Sequence, residues 1–115
     1  MDNSSVNVVY HIDAGDRLVY VNEGWDRFAV EADAVELLKP KIYGQSLWNF
    51  IHGETLEILY RKALDGVRNG STVVFAFRCD SPEQRRFLEM RISPGEQGGA
   101  IFEISERRVE DRPRD

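Results

Sequence analysis

The chain has 115 residues, 42% of them hydrophobic and 30% charged, and its formal net charge is −5. This length predicts one globular domain, and because no Lys/Arg-rich block is present, nothing indicates a nucleic-acid partner. No apolar run approaches the ~20 residues of a membrane-spanning helix. The N-terminus lacks the features of a secretory signal and a single cysteine excludes an internal disulfide, so the sequence predicts a cytoplasmic protein with no membrane partner.

The first predicted elements are a β-hairpin and a short aromatic helix. Residues 8–13 and 17–21 are β-rich runs on either side of a Gly/Asp turn, which predicts two antiparallel strands. Asn22 is placed to cap the helix that follows, because its side-chain oxygen can accept an unpaired N–H of the first helical turn. Trp25 and Phe28 then follow at helical spacing, so one face of this helix is aromatic.

The middle of the chain is predicted to be helical. Residues 31–43 are ambiguous, with one helical turn that Pro40 would stop. Ser46 can cap a short apolar helix over residues 47–51. The clearest element is an amphipathic helix over residues 54–69, whose apolar side chains recur with the period of one helix face.

Three strands close the predicted fold. They cover residues 71–79, 85–93 and 99–105. The order of two strands, a group of helices and three strands predicts an α+β fold, a five-stranded antiparallel sheet with helices packed on one face. Residues 8–105 then form the single domain, with residues 1–7 as an N-terminal tail and residues 106–115 as a charged C-terminal tail that frays or is solvated.

Several motifs along this order are similar to those of a known family. Residues 20–25 (YVNEGW) resemble a strand-to-helix "N-x-x-W" junction, and residues 44–51 (GQSLWNFI) resemble a "G-x-S-L-W-x-F-I" helix. With the long helix running into three strands, they resemble a PAS domain, a small sensory module of bacterial signalling proteins. Residues 77–86 (FRCDSPEQRR) also resemble a hairpin of small stand-alone bacterial PAS proteins.

The resemblance implies a PAS-like five-stranded sheet with a pocket between its inner face and the helices. Family members use this pocket for haem, flavin, small metabolites or nothing. The side chains expected to face it are Trp25, Phe28, Trp48, Ile51, Leu59, Phe75, Phe77 and Met90, with Tyr60 as a polar handle. A domain of this size also needs such residues for its core, so a filled core and a ligand cavity both remain open.

The residues that the known cofactors require are absent from the expected places. Covalent flavin chemistry of the light-oxygen-voltage type needs a cysteine in a helix beside the flavin, whereas Cys79 ends a strand. Haem needs an axial ligand such as a histidine on the long helix. His11 lies in the first strand instead, and His52 lies in the turn before that helix, where a turn or cap role is expected. No cofactor is therefore identified, and these separated histidines predict no metal site.

The sequence thus predicts a non-enzymatic PAS-type sensory or signal-transducing module. It would bind a small apolar or aromatic ligand, a signalling protein partner, or both, and form a homodimer through the outer sheet face, where Phe87 and Ile101 are expected to be exposed. The alternative is a purely structural dimerisation domain with a filled core and no ligand. An isomerase-like enzyme would need an isolated acid, for which Asp13, Asp26 and Glu103 are candidates by position, each with an exposed or capping role available.

Overall fold

The computed structural model describes residues 8–31, 34–80 and 83–111. Its strands are β1 (Val8–Ile12), β2 (Leu18–Val21), β3 (Val73–Asp80), β4 (Gln84–Pro94) and β5 (Ala100–Asp111). Its helices are α1 (Glu23–Glu31), α2 (Lys39–Ile42) and α3 (Glu54–Arg68), with short 3₁₀ turns over Val35–Leu37, Leu47–Phe50 and Glu96–Gly98. The predicted α+β order is confirmed. The proposed N-terminal tail, residues 1–7, lies outside the described residues.

The five strands form one antiparallel sheet in the order β2-β1-β5-β4-β3. The helical segment therefore carries the chain from β2 at one edge of the sheet to β3 at the other. The last strand enters the middle of the sheet, between β1 and β4. This arrangement confirms the five-stranded antiparallel sheet, and it brings the first and last strands together as neighbours.

The core lies between α3 and one face of the sheet. Along β4, Met90 and Ile92 are buried and Arg91 between them is exposed, as the two-residue period of a strand requires. The buried residues of α3 are Tyr60, Ala63, Leu64 and Val67, which share one helical face. We call the sheet face that carries Met90 the inner face, and the opposite one the outer face.

Local capping rules account for the ends of several helices. Asn22 Oδ1 accepts the backbone N–H of Trp25 at 3.1 Å, as predicted, and also that of Val9 at 3.0 Å. The same oxygen thus caps α1 and ties its start to β1. Ser46 Oγ accepts the N–H of Trp48 at 3.2 Å, which confirms the second predicted cap. Gly70, with φ of 97°, closes the end of α3 in the left-handed conformation that favours glycine.

Pro40 begins a helix rather than ending one. It lies in the first turn of α2, directly after Lys39. Proline is tolerated there because the first turn of a helix leaves its N–H groups unpaired in any case. The predicted helical turn before Pro40 is present as the 3₁₀ turn Val35–Leu37, which ends at Leu38. Pro40 itself does not stop this turn but belongs to the short helix that follows.

The charged C-terminal segment continues the sheet through Asp111. The expected fraying tail is wrong for residues 106–111, which pair with β4 in the register Gln84↔Asp111 to Leu88↔Glu106. Arg107 is the extra residue of a bulge in β5, and its Nε lies 3.7 Å from Glu89 Oε1. Residues of both charge signs can occupy such a strand because cross-strand pairs of opposite charge stabilise it. Residues 112–115 lie outside the described part of the chain.

Candidate functional site

Four aromatic rings meet on the inner face of the sheet, and we call them the aromatic stack: Trp25, Tyr10, Phe102 and Tyr60. The Tyr10 and Phe102 rings are stacked at a centroid distance of 4.6 Å and an angle of 8°. Tyr60 stacks against Phe102 from α3 at 6.0 Å and 19°, and Trp25 of α1 meets the Tyr10 ring edge-on at 5.2 Å. The space between the helices and the sheet is therefore filled by side chains at this point.

The positions of these rings follow from the pairing of the strands and from their burial. Tyr10 of β1 lies directly opposite Phe102 of β5, and both are on the inner face. Phe102 is 0% exposed, while Tyr10 and Tyr60 are 5% and 8% exposed. The indole Nε1 of Trp25 donates a hydrogen bond to the carbonyl of Leu37 at 2.6 Å, which fixes its orientation. Buried tyrosine and tryptophan usually find such a polar partner.

The two tyrosine hydroxyls of the stack pair with each other. Burial raises the pKa of Tyr10 well above its usual value of 10.0, and the adjacent, hydrogen-bonded Tyr60 raises this pKa further. Burial also raises the pKa of Tyr60, although the hydrogen bond with Tyr10 acts in the opposite direction. Because both phenols stay protonated far above neutral pH, they form an uncharged polar pair inside an apolar core.

Removing one hydroxyl of this pair is expected to destabilise the protein more than removing both. Tyr60→Phe leaves the buried Tyr10 hydroxyl without its hydrogen-bond partner, which costs about 1–3 kcal/mol. The double variant Tyr10→Phe/Tyr60→Phe buries no polar group at the pair and should recover most of this loss. Urea unfolding of the two single variants and the double variant measures the coupling. Losses that simply add would contradict a direct interaction.

The raised pKa values of the two tyrosines also predict how the stability of the fold changes with pH. Above pH 10.0 the phenols ionise in the unfolded chain while the folded pair remains protonated, so unfolding releases protons. The stability due to the raised pKa values is fully present below pH 10.0 and falls as the pH rises through the folded-state values. Between about pH 9 and pH 11, the free energy of unfolding of the double Phe variant should therefore fall less than that of the parent chain.

The nine residues predicted to face the pocket do not all lie together. Trp25, Tyr60 and Met90 belong to the core or pack against it, and the structure places Trp48, Ile51, Phe75 and Phe77 at its partly buried margin. Phe28 and Leu59 are 54% and 41% exposed, so their expected inward position is wrong. All buried residues of α3 lie from Tyr60 to Val67, and the apolar side chains of its first turns remain at the surface.

Two members of the aromatic stack were missed at the sequence level. Neither Tyr10 nor Phe102 stands in a recognisable motif, and each is one residue of an ordinary β-rich run. Strand periodicity offers the only signal, because Tyr10 and Ile12 share one face of β1 and Ala100 and Phe102 share one face of β5. The contact between the rings follows from the pairing of β1 with β5.

Trp48 belongs to a separate polar group, which we call the Asp16 cluster: Asp16, Trp48 and Arg68. The Trp48 Nε1 donates to Asp16 Oδ2 at 2.9 Å, and Arg68 Nη2 lies 2.6 Å from Asp16 Oδ1. Arg68 also donates to the carbonyls of Asp13 and Gly98, both at 3.2 Å. The cluster thus joins the β1–β2 turn, the 3₁₀ turn Leu47–Phe50, the end of α3 and the turn before β5.

The three candidate acids have other positions. Asp13 Oδ1 accepts the N–H groups of Gly15 and Arg17, at 2.9 and 3.0 Å, within the β1–β2 turn. Asp26 Oδ1 accepts the N–H of Lys39 at 3.1 Å at the start of α2. Glu103 lies on the outer face of the sheet, so none of the three faces the aromatic stack.

The outer face carries a cavity of about 250 Å³. It is lined by Val9, Glu89, Arg91, Glu103, Ser105 and Arg107. Two acidic and two basic side chains make this surface polar and mixed in charge.

Phe87 and Ile101 are half-buried on the outer face, and the guanidinium of Arg108 covers the Phe87 ring at 4.2 Å. The expectation that these two side chains are exposed is therefore wrong.

Within residues 8–31, 34–80 and 83–111, no three His, Cys, Asp or Glu side chains are grouped to hold a metal ion. The His11 ring lies 4.8 Å from the Tyr20 ring on the outer face. No helix in these ranges is both long and apolar enough to span a membrane.

Neither a known family model nor a curated protein matches the sequence. Among solved structures, the chain is similar to a domain of an HTR-like protein from Haloarcula marismortui, with a TM-score of 0.51 and 15% sequence identity. The match covers 93% of this chain and 98% of that one. At this identity the similarity concerns the fold alone. It shows that the five-stranded α+β arrangement corresponds to a whole domain of known structure.

Proposed function

We propose that the chain is a non-enzymatic, PAS-type signal-transducing module that acts by binding a protein partner. The sheet order β2-β1-β5-β4-β3, with its crossover through helices, supports the PAS assignment. So does the junction around Asn22, which caps α1 and bonds to β1 while Trp25 packs against Tyr10. The "N-x-x-W" pattern thus has a physical role in holding the first helix against the sheet.

The filled interior is the observation that carries this proposal. The aromatic stack occupies the space between α3 and the inner face, which is where the PAS resemblance places a ligand. A ligand at that point would have to displace the Tyr60 or Phe102 ring, and exposing a buried ring of this size to water costs about 1.5–3 kcal/mol. A module with such a core transmits a signal through its surface, by association.

A small-ligand sensor is the second candidate, and the buried tyrosine pair favours it. Ligand pockets combine apolar walls with a few polar groups that orient the ligand. The hydroxyls of Tyr10 and Tyr60 are such groups, and Trp25 and Phe50 extend the apolar wall beside them. A small apolar or aromatic molecule with one polar atom would suit this environment if the rings moved apart.

A thermal-shift screen with small aromatic compounds separates the two candidates. A ligand present at 100 times its Kd stabilises a protein by about 2.7 kcal/mol, which raises the Tm of a domain of this size by on the order of 10 °C. We expect no compound to produce such a shift. A shift that is lost in Tyr60→Phe but kept in the control Tyr20→Phe, whose side chain is 43% exposed, would overturn the filled-core proposal.

A further inference from the structure

The two edges of the sheet differ in how they are covered. At the β2 edge, the Leu18 N–H donates to the Gln45 carbonyl at 2.9 Å and the Gly44 N–H donates to the Leu18 carbonyl at 2.8 Å. An isolated bridge between Arg17 and Ser46 continues this pairing. Within the described part of the chain, no segment pairs in this way with residues 73–77 on the side of β3 away from β4.

The uncovered edge is regular, apolar and anchored to the core. Val73, Phe75 and Phe77 pack against the core from the inner face, while Val74 and Ala76 are exposed on the outer face. Residues 73–77 include no charge and no proline, and the β3–β4 register runs without a shift. Charges, prolines and bulges are the usual means by which proteins keep an edge strand from pairing with another chain. This stretch has none of the three.

From this edge we infer a partner: β3 pairs with β3 of a second copy of the chain, antiparallel and about a two-fold axis. The inference rests on the proposed function, since it names the surface and the partner for association. Along an antiparallel strand, successive residues direct their backbone N–H and C=O groups alternately to one side and the other. The groups of β3 that point away from β4 are therefore available to pair with another strand. Pairing would join the two five-stranded sheets into one continuous sheet.

The stretch is self-complementary, which favours a second copy over a charged peptide. A two-fold register centred on Phe75 places Phe75 opposite its own copy and Val73 opposite Phe77, all on the inner face. It places Val74 opposite Ala76 on the outer face. No like charges meet in this register, and every opposed pair within residues 73–77 is apolar. Both sets of helices would lie on the same side of the joined sheet.

Such an interface is small, so association should be reversible. Five paired residues from each copy bury much less than the roughly 1,200–2,000 Å² of a standard stable interface. We therefore expect the dimer to form as the protein concentration rises and to dissociate on dilution. A reversible interface of this kind suits a module that changes partners during signalling.

Sedimentation velocity over a concentration series tests the inference. We expect the 13.2 kDa chain to pass from monomer to dimer as its concentration rises. The double variant Val74→Lys/Ala76→Lys places like charges opposite each other in the proposed register and should weaken dimerisation by on the order of tenfold or more. Both positions are exposed, so the variant should keep the parent Tm. Val19→Lys is the matched control, an exposed valine on the covered edge strand, and should dimerise normally.

Three results would overturn the inference. A chain that stays monomeric at every concentration has no β3 pairing. A dimer that Val74→Lys/Ala76→Lys leaves intact uses another surface, which rejects the β3 edge while association as a function still stands. Assemblies that grow beyond a dimer contradict the closed two-fold arrangement. None of these depends on the ligand screen, in which a Tyr60-dependent thermal shift would reject the proposed function itself.

Discussion

Replacing Phe102 with alanine is expected to lower the free energy of unfolding by about 3–5 kcal/mol, the largest effect of any single change considered. The Phe102 ring is fully buried and stacks against both the Tyr10 ring and the Tyr60 ring, so its removal leaves a cavity lined by both. A domain of this kind has only about 5–15 kcal/mol of total stability. Urea unfolding followed by tryptophan fluorescence should show the loss as a lower midpoint with an unchanged slope.

Phe28→Ala is the matched control for this change. The two substitutions remove the same atoms, but the Phe28 side chain is 54% exposed on α1. Its loss should change stability by no more than about 0.5 kcal/mol, as surface substitutions usually do. Phe102→Leu, which refills most of the cavity, should fall between the two. If Phe28→Ala and Phe102→Ala were equally destabilising, the aromatic stack would not be the centre of the core.

Asp16→Ala is expected to cost about 2–3 kcal/mol, the second largest effect. It removes the ion pair with Arg68 and the acceptor for the Trp48 indole, and it places alanine at a φ of 65°. The ion pair contributes less than a fully buried one would, because the Asp16 and Arg68 side chains are 22% and 31% exposed. Four chain segments meet at this cluster, so the loss should also loosen the β1–β2 turn.

Asp16→Asn separates the contributions to this loss. Asparagine tolerates the left-handed conformation and keeps an oxygen for the Trp48 N–H, but it carries no charge for Arg68. We expect it to cost about 1 kcal/mol, clearly less than alanine does. Asp65→Ala, at an exposed acid on α3, serves as the control and should have little effect. Chemical denaturation measures the loss of stability in each of the three variants. Equal losses for Asn and Ala would show that the indole hydrogen bond and the backbone contribute nothing.

Local rules were sufficient for much of the fold. Capping chemistry located Asn22 and Ser46 correctly, and strand alternation placed Met90 and Ile92 on the inner face. These features depend on residues near one another in the chain. The α+β class followed from the order of the elements, because a group of helices between two sets of strands leaves few economical arrangements.

The errors arose where distant parts of the chain decide the outcome. The helical period of α3 identified a face that includes Leu59, but only the position of the helix on the sheet determines how much of that face is buried. Residues 106–111 looked too charged for a strand, yet β4 is long enough to pair with them. Pro40 is compatible with the end of one helix or with the first turn of the next, and in the structure it lies in the first turn of α2.

The candidate site shows the same division. Trp25 and Tyr60 were identified from helical patterns, whereas Phe102, which stacks against both Tyr10 and Tyr60, comes from β5. Its contact with Tyr10 exists because β5 enters the sheet beside β1. The Asp16 cluster likewise needs the β1–β2 turn to meet the end of α3. No local sequence pattern contains this information.

The sharpest test of the filled core is a crystal structure of the protein, purified without refolding from the cells that produce it. The proposed function rests on this core being filled by its own aromatic side chains. We expect the Phe102 ring to contact the rings of Tyr10 and Tyr60, at centroid distances near 4.6 and 6.0 Å, with no bound molecule between α3 and the sheet at this point. A bound molecule that separates the Tyr60 ring from the Phe102 ring would contradict it.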